Sequence, residues 1–275
     1  MVTGAAGRIG RAVVAALAAR GTAVHALILE SAAVAGSDEI FVGSAADPAA
    51  VRAAMRGVDG VVHLAAKPAP HHGTPLEVFG GNVSATFAVL EEAGRAGVRH
   101  AVIASSYAAT GLPFARKLLH PAYVPIDVDL PAQAEDPYAL SKQADELTAA
   151  MMARRHGMSV VALRYPFVGG VQERLPEHAA AIAADPGLGA RDLWAYLDLR
   201  DAAEAAVLAL GVDEPGAHVV YVAAPQTISP LPTEELLDRY HPHVPRRAPL
   251  PGRTVPIDLA PAQRLFGFRA RHEFL

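Results

Sequence analysis

Cysteine is absent from the 275-residue chain, which excludes a disulfide framework and any thiolate-ligated metal and is consistent with a reducing compartment. Lysine is scarce: the 24 basic residues include only Lys67, Lys117 and Lys142. The formal net charge is −4 and there is no basic stripe, so the sequence carries no electrostatic footprint for nucleic acid or an anionic membrane. No apolar run is long enough to span a bilayer. The most apolar stretch, residues 12–35, is broken by Arg20, Gly21, His25 and Glu30 and falls short of about 20 uncharged residues. The basic start of a signal peptide is missing too. These absences point to a soluble cytoplasmic protein whose partner is a small molecule, with no nucleic acid, membrane or metal involved.

What remains is rich in core-forming residues: 52% are hydrophobic and 19% charged, as expected of a globular enzyme. Short apolar runs (23–29, 39–43, 60–66, 100–106, 159–165 and 218–224) alternate with helix-forming stretches (8–20, 48–57, 76–96, 137–156 and 201–210). Continuous apolar strands alternating with helices predict a doubly wound, Rossmann-type parallel sheet covered on both faces. Proline and glycine punctuate 166–190, and proline recurs over 225–261. Residues 1–165, with 191–224 returning to them, therefore read as a dinucleotide-binding domain. Residues 166–190 and 225–275 read as a small substrate lobe over the strand ends.

The chain opens "MVTGAAGRIG", with Gly4, Gly7 and Gly10 three apart at the first strand–helix junction. Glycines there let the backbone approach a pyrophosphate, and the helix N-terminus offers free N–H groups to it. Gly4, Ala6, Gly7, Arg8, Ile9 and Gly10 are thus candidate cofactor residues. Only Met1 and Val2 precede Thr3, a short strand for the centre of a sheet, which predicts further residues upstream in the natural chain. Glu30, beyond the second strand, is the candidate for the ribose hydroxyl. No Arg or Lys lies between Gly21 and Pro48, which favours NAD, while Arg8 keeps NADP open.

"DPYALSK" sets Tyr138 and Lys142 four apart on one helical face. An ammonium beside a phenol stabilises the phenolate and brings the tyrosine into range for proton transfer with a substrate hydroxyl. With seven tyrosines in the chain and only three lysines, an accidental pair at this spacing is rare.

Taken in order, "TGAAGRIG", "GVVHLAA", "NVSATFAVLEEA", "VIASSYAATG", "DPYALSK" and "LRYPFVGG" resemble an extended short-chain dehydrogenase/reductase of the NAD-dependent epimerase/dehydratase family. The resemblance is dense over about residues 3–170 and weaker through "WAYLDLRDAAEAAVLAL". It implies Tyr138 as acid/base, Lys142 as its partner and ribose ligand, and Ser106 as the donor to the reacting oxygen. Ser105 then lines the strand end near the cofactor. Leu64, Ala65, Ala66, Tyr165 and Pro166 would lie against the cofactor, with Ser44 and Ala45 near the adenine, where the family often has an acid instead of Ser44. Asn82 would serve structure. A homodimer through the helices 76–96 and 137–156 is also implied.

The reaction that the resemblance implies is hydride transfer coupled to proton transfer through the tyrosine. Family members that eliminate water carry an Asp-Glu pair after the serine, whereas here Tyr107 and Ala108 follow Ser106 and no other carboxylate is evident, so a dehydratase is disfavoured. The short lobe favours an oxidoreductase acting on a hydroxyl or carbonyl of a sugar, uronic acid or similar small alcohol. The alternatives are a nucleotide-sugar epimerase and a regulator that senses NAD(P) without turnover. Lys67, His71, His72, Ser106, Tyr107, Phe167 and Arg174 are the candidate substrate residues.

Overall fold

The computed structural model describes residues 1–274. The described strands are β1 (Val2–Thr3), β2 (His25–Ile28), β3 (Glu39–Val42), β4 (Gly60–His63), β5 (His100–Ser106), β6 (Ser159–Tyr165), β7 (Phe167–Gly169), β8 (Tyr196–Asp198) and β9 (Gly216–Tyr221). Seven of them form one parallel sheet in the order β3-β2-β1-β4-β5-β6-β9, and β7 pairs with β8 alone. The helices are α1 (Arg8–Ala18), α2 (Pro48–Ala54), α3 (Pro75–Arg95), α4 (Pro137–His156), α5 (Leu175–Ala184), α6 (Leu199–Ala209), α7 (Thr233–Tyr240) and α8 (Ala260–Phe266). This is the doubly wound α/β fold that the alternation of runs predicts.

The central strands are apolar because both faces are covered, and β6 is buried at every position, whereas the edge strand β3 is largely exposed. On one face Val13, Val14 and Leu17 of α1 and Ala202, Ala205 and Ala206 of α6 pack with Val62, Val102 and Val161. On the other, Val51 of α2, Val89 of α3 and Met152 of α4 pack with Leu27, Val61, Ile103 and Val160. The helices begin where the sequence supplies caps. Asp47 accepts from Ala49 N–H, Thr74 and Glu77 close a capping box, and Asp136 accepts from Tyr138 and Ala139 N–H, each with a proline at the helix start.

Several strands are shorter than their apolar runs. β1 ends at the glycine turn, so beyond His63 the chain loses its neighbour on that side, while β5 on the other side runs on to Ser106. The Leu64 N–H is shared between the Thr3 carbonyl at 3.3 Å and Thr3 Oγ1 at 3.2 Å, and the Ala65 N–H donates to Thr3 Oγ1 at 3.2 Å. β2 starts only at His25 because the Val24 N–H is taken by Asp38 Oδ2 at 2.7 Å. The last strand, expected over 218–224, occupies Gly216–Tyr221, and the Ala224 N–H bonds the Tyr196 carbonyl at 2.8 Å.

A third cluster gathers Tyr107, Leu112, Tyr123, Ile126, Trp194, Tyr196, Leu236, Leu237 and Ile257 over the C-terminal strand ends. It draws in residues 112–130, which the proline and glycine distribution leaves with the nucleotide domain. Conversely, Ala262 of α8 and Phe268, within the stretch 225–275 expected to form the lobe, pack into the sheet core beside α1 and α6. No helix among the described residues is long and apolar enough to cross a membrane.

Candidate active site

The C-terminal ends of the central strands open into a cavity of about 850 Å³. Its floor is the glycine turn. Gly4 has φ +62, and a Cβ there would lie 2.8 Å from Ala65 N; one on Gly10 would lie 2.2 Å from the Gly4 carbonyl oxygen. Both glycines are therefore required by the close approach of β1, α1 and the chain after β4. Gly7 caps α1 without a side-chain hydrogen bond, and no acid occupies the first turn, so the positive helix end is left free.

Gly4, Gly7, Arg8, Ile9, Gly10, Leu64 and Ala66 line this end of the cavity. Ala6 packs toward the α1 core, and Ala65 meets the turn by its backbone; neither is on the wall. Glu30 is exposed beyond β2, Ser44 Oγ accepts from Ala46 N–H at 3.1 Å, and Ala45 is buried under the sheet; none of these three reaches the cavity.

The opposite wall carries Ser106, Tyr138 and Lys142. Ser106 ends β5 and its Oγ accepts from Ala108 N–H at 3.1 Å, capping the short turn Tyr107–Thr110. Ser105 also touches the cavity, but its hydroxyl is committed to Glu146 Oε1 at 2.6 Å. Glu146 in turn holds Arg164, which donates to Tyr221 Oη at 2.9 Å.

Tyr138 lies in the first turn of α4 with Phe114 edge-on to its ring at 5.9 Å. Lys142 Nζ sits 5.7 Å from the Tyr138 ring centroid and donates to the Ala104 carbonyl at 2.9 Å and to Asp145 Oδ2 at 3.1 Å. Burial opposes the lysine's charge, but Asp145, Tyr138 and Glu146 outweigh it and raise the ammonium above its ordinary value. Beneath lies His63, bonded to Thr3 Oγ1 at 2.7 Å and Thr86 Oγ1 at 3.2 Å. Burial, with the nearby Lys142 charge, pushes His63 down to about 3, so the ring is neutral. Asn82 fixes the loop after β4, accepting from Lys67 N–H at 2.8 Å and donating to the Lys67 carbonyl and to Ser141 Oγ at 3.1 Å each.

His71, His72, Pro166, Phe167 and Arg174 also line the cavity, as does the buried Tyr107. Arg174 stacks over Phe167 at 4.7 Å, and Phe167 stacks on His178 at 3.9 Å. Burial and the facing Arg8 lower the Arg174 guanidinium from its usual value. Tyr165 is on the wall, but its hydroxyl donates to the Ala202 carbonyl at 3.0 Å and burial raises its pKa. Lys67 turns away and donates to the His72 carbonyl at 3.0 Å.

Sequence reasoning finds no carboxylate near the serine; the structure supplies one. Asp192, at the end of the short turn Pro186–Asp192, stands on the cavity wall far along the chain from Ser106, and burial pushes its carboxyl up to about 6. Its only sequence signal is an acid set directly before the apolar "LWAYL".

In comparisons with known proteins, residues 1–224 match the family described as "NAD dependent epimerase/dehydratase family". A sterol demethylase protein B of Methylococcus capsulatus is 40% identical over 116 residues, 41% of this chain and 35% of that protein. A UDP-glucose 4-epimerase of Corynebacterium glutamicum is 26% identical over 249 residues, 80% of this chain and 73% of the epimerase. A uronate dehydrogenase of Pseudomonas putida is 29% identical over 166 residues, 60% of this chain and 59% of the dehydrogenase. The chain thus spans 35%, 73% and 59% of the lengths of these three relatives. Among solved structures, MoeE5 in complex with UDP-glucose and NAD superposes with a TM-score of 0.71 at 26% identity, over 99% of this chain and 93% of that one.

Proposed function

The chain belongs to the NAD-dependent epimerase/dehydratase family, and from that premise we propose that it is an NAD-linked oxidoreductase acting on a hydroxyl or carbonyl of a sugar, uronic acid or similar small alcohol. The observation that carries this is the meeting of Ser106, Tyr138 and Lys142 with the glycine turn around one cavity. NAD is the cofactor, and the turn fits it. The uncapped N-terminus of α1 receives the pyrophosphate, and Gly4 and Gly10 leave no side chain in the way.

When bound, NAD accepts or returns the hydride. Ser106 Oγ donates to the reacting oxygen. Tyr138 Oη takes the hydroxyl proton as the carbonyl forms and gives it back in the reverse direction. Lys142 has three N–H groups, two of them held by Ala104 and Asp145. The third is left for the nicotinamide ribose, and the ammonium charge beside the Tyr138 ring favours its phenolate. Arg174 offers the cation for an anionic substituent, with Phe167 beneath it as a flat apolar support.

The test is to incubate the protein with NAD, then NADP, against free sugars, uronic acids and nucleotide sugars, following reduced nicotinamide and product identity. Accumulating reduced NAD on a free sugar or uronate supports the proposal; no cofactor reduction on any of them overturns it. A rearranged nucleotide sugar without net reduction identifies the second candidate, an epimerase, which the alignment to the UDP-glucose 4-epimerase over 80% of this chain favours. The working assembly is proposed to be a homodimer through α3 and α4, which pack on each other and expose Phe87, Leu140 and Leu147. The cytoplasm is its proposed compartment, with which a chain lacking cysteine is compatible.

A further inference from the structure

The catalytic scheme leaves Asp192 unused. Its carboxylate has no hydrogen-bond or ion-pair partner among the described residues. Arg191, whose charge attracts it, donates instead to the carbonyls of Ala115 and Lys117. The neighbouring Tyr107 hydroxyl is itself buried without a partner and is held in its protonated form by burial and by the Asp192 charge.

The backbone fixes where this carboxylate points. Asp192 ends the short 3-10 turn Pro186–Asp192, and the two residues after it, Leu193 and Trp194, both adopt left-handed conformations with φ of 50 and 53. That conformation crowds the Cβ of any residue other than glycine. They persist because both side chains are buried, Trp194 Nε1 donates to the Pro186 carbonyl at 2.7 Å, and Gly189 leaves room for the indole. The fold therefore holds an unpaired acceptor rigidly against the cavity.

A carboxylate can only accept hydrogen bonds, so whatever satisfies it must bring a donor. A diphosphate or carboxylate brings none and is repelled. A cationic group is opposed by Arg8 and Arg174 in the same cavity. An uncharged hydroxyl fits both conditions. We propose that Asp192 is a specificity-determining residue that accepts a hydrogen bond from a substrate hydroxyl other than the reacting one. The substrate is then a polyhydroxylated alcohol whose end at this wall carries no negative charge, any anionic substituent lying toward Arg174. This rests on the oxidoreductase proposal above and narrows its substrate class.

The test uses NAD-saturated Tyr138→Phe protein, which keeps the cavity without turnover. It is titrated calorimetrically with D-glucose, D-galactose, D-glucuronate, D-galacturonate and their monodeoxy analogues, while NAD reduction by the wild type is assayed in parallel. Adding Asp192→Ala is expected to weaken the best sugar about 100-fold and to erase its advantage over one monodeoxy analogue; Asp192→Asn, which retains an acceptor, weakens it about 10-fold. NAD affinity stays unchanged in both. Binding with unaltered affinity and unaltered hydroxyl preference overturns the role of Asp192 even if the wild type reduces NAD. Sugar binding that depends on Asp192 without NAD reduction by the wild type upholds the site and overturns the oxidoreductase. Binding of no sugar in the panel overturns the Asp192 proposal, and the parallel assay then decides the oxidoreductase separately.

Discussion

Lys142 illustrates how much of the chemistry a single side chain can carry when its neighbours are fixed. Two of its N–H groups are held by Ala104 and Asp145, so the third has one direction left to serve. Replacing Tyr138 with Phe is expected to cut NAD-linked turnover about 10³-fold while NAD affinity, measured by calorimetry, is unchanged. Lys142→Ala should reduce both, because it removes a ribose contact as well. The neutral His63 gives a pH prediction. Its pKa falls from 6.5 to about 3 on folding, so below pH 6.5 the unfolded chain binds a proton that the folded one refuses. Its contribution is complete above pH 6.5 and is lost as the pH falls toward 3. The wild type should lose stability over that range by up to about 1.4 kcal/mol per pH unit relative to His63→Gln in urea titrations. The tyrosine and lysine were legible because a spacing of four is a property of the sequence. Asp192 and Asp145 were not, because being unpaired or paired under burial is decided by what the fold brings next to them.

Elements were legible where their ends carry chemistry. Asp136, Pro137 and Gly157 mark α4 in the sequence, and the helix runs from Pro137 to His156 between them. Asp136→Ala should cost about 1 kcal/mol in chemical denaturation. It should also lower turnover more than NAD affinity, since the turn it caps contains Tyr138. At the glycine turn, Gly10→Ala would press a methyl to 2.2 Å from the Gly4 carbonyl oxygen, a backbone atom with nowhere to move. Calorimetry should detect no NAD binding in that variant. Strand ends were less legible: residues 64–66 and 222–224 are as apolar as the strands they follow. They leave the sheet only because a neighbour stops first or a lobe carbonyl competes for the N–H.

Across the whole molecule, the sheet and its order follow from the alternation of apolar runs with helices, whereas the lobe boundaries do not. Proline and glycine report where regular structure is interrupted, and they are silent about which core the interrupted chain joins, as residues 112–130 and Phe268 demonstrate. The exposed Phe87 and Leu147 lie on helices that also carry Asn82, Tyr138 and Lys142. Phe87→Glu combined with Leu147→Glu is expected to convert a dimer into monomers in sedimentation velocity, whereas an unchanged sedimentation coefficient would refute pairing through this face.

The cluster over the strand ends is assembled from three stretches of chain, around Tyr107–Leu130, Leu175–Tyr196 and Tyr221–Ile257, with strands and helices of the sheet layers between them. A protease that nicks the bond after Arg116 or Lys117 would therefore free nothing. Both fragments would remain interleaved through the sheet and the cluster, co-elute under native conditions, and separate only in denaturant.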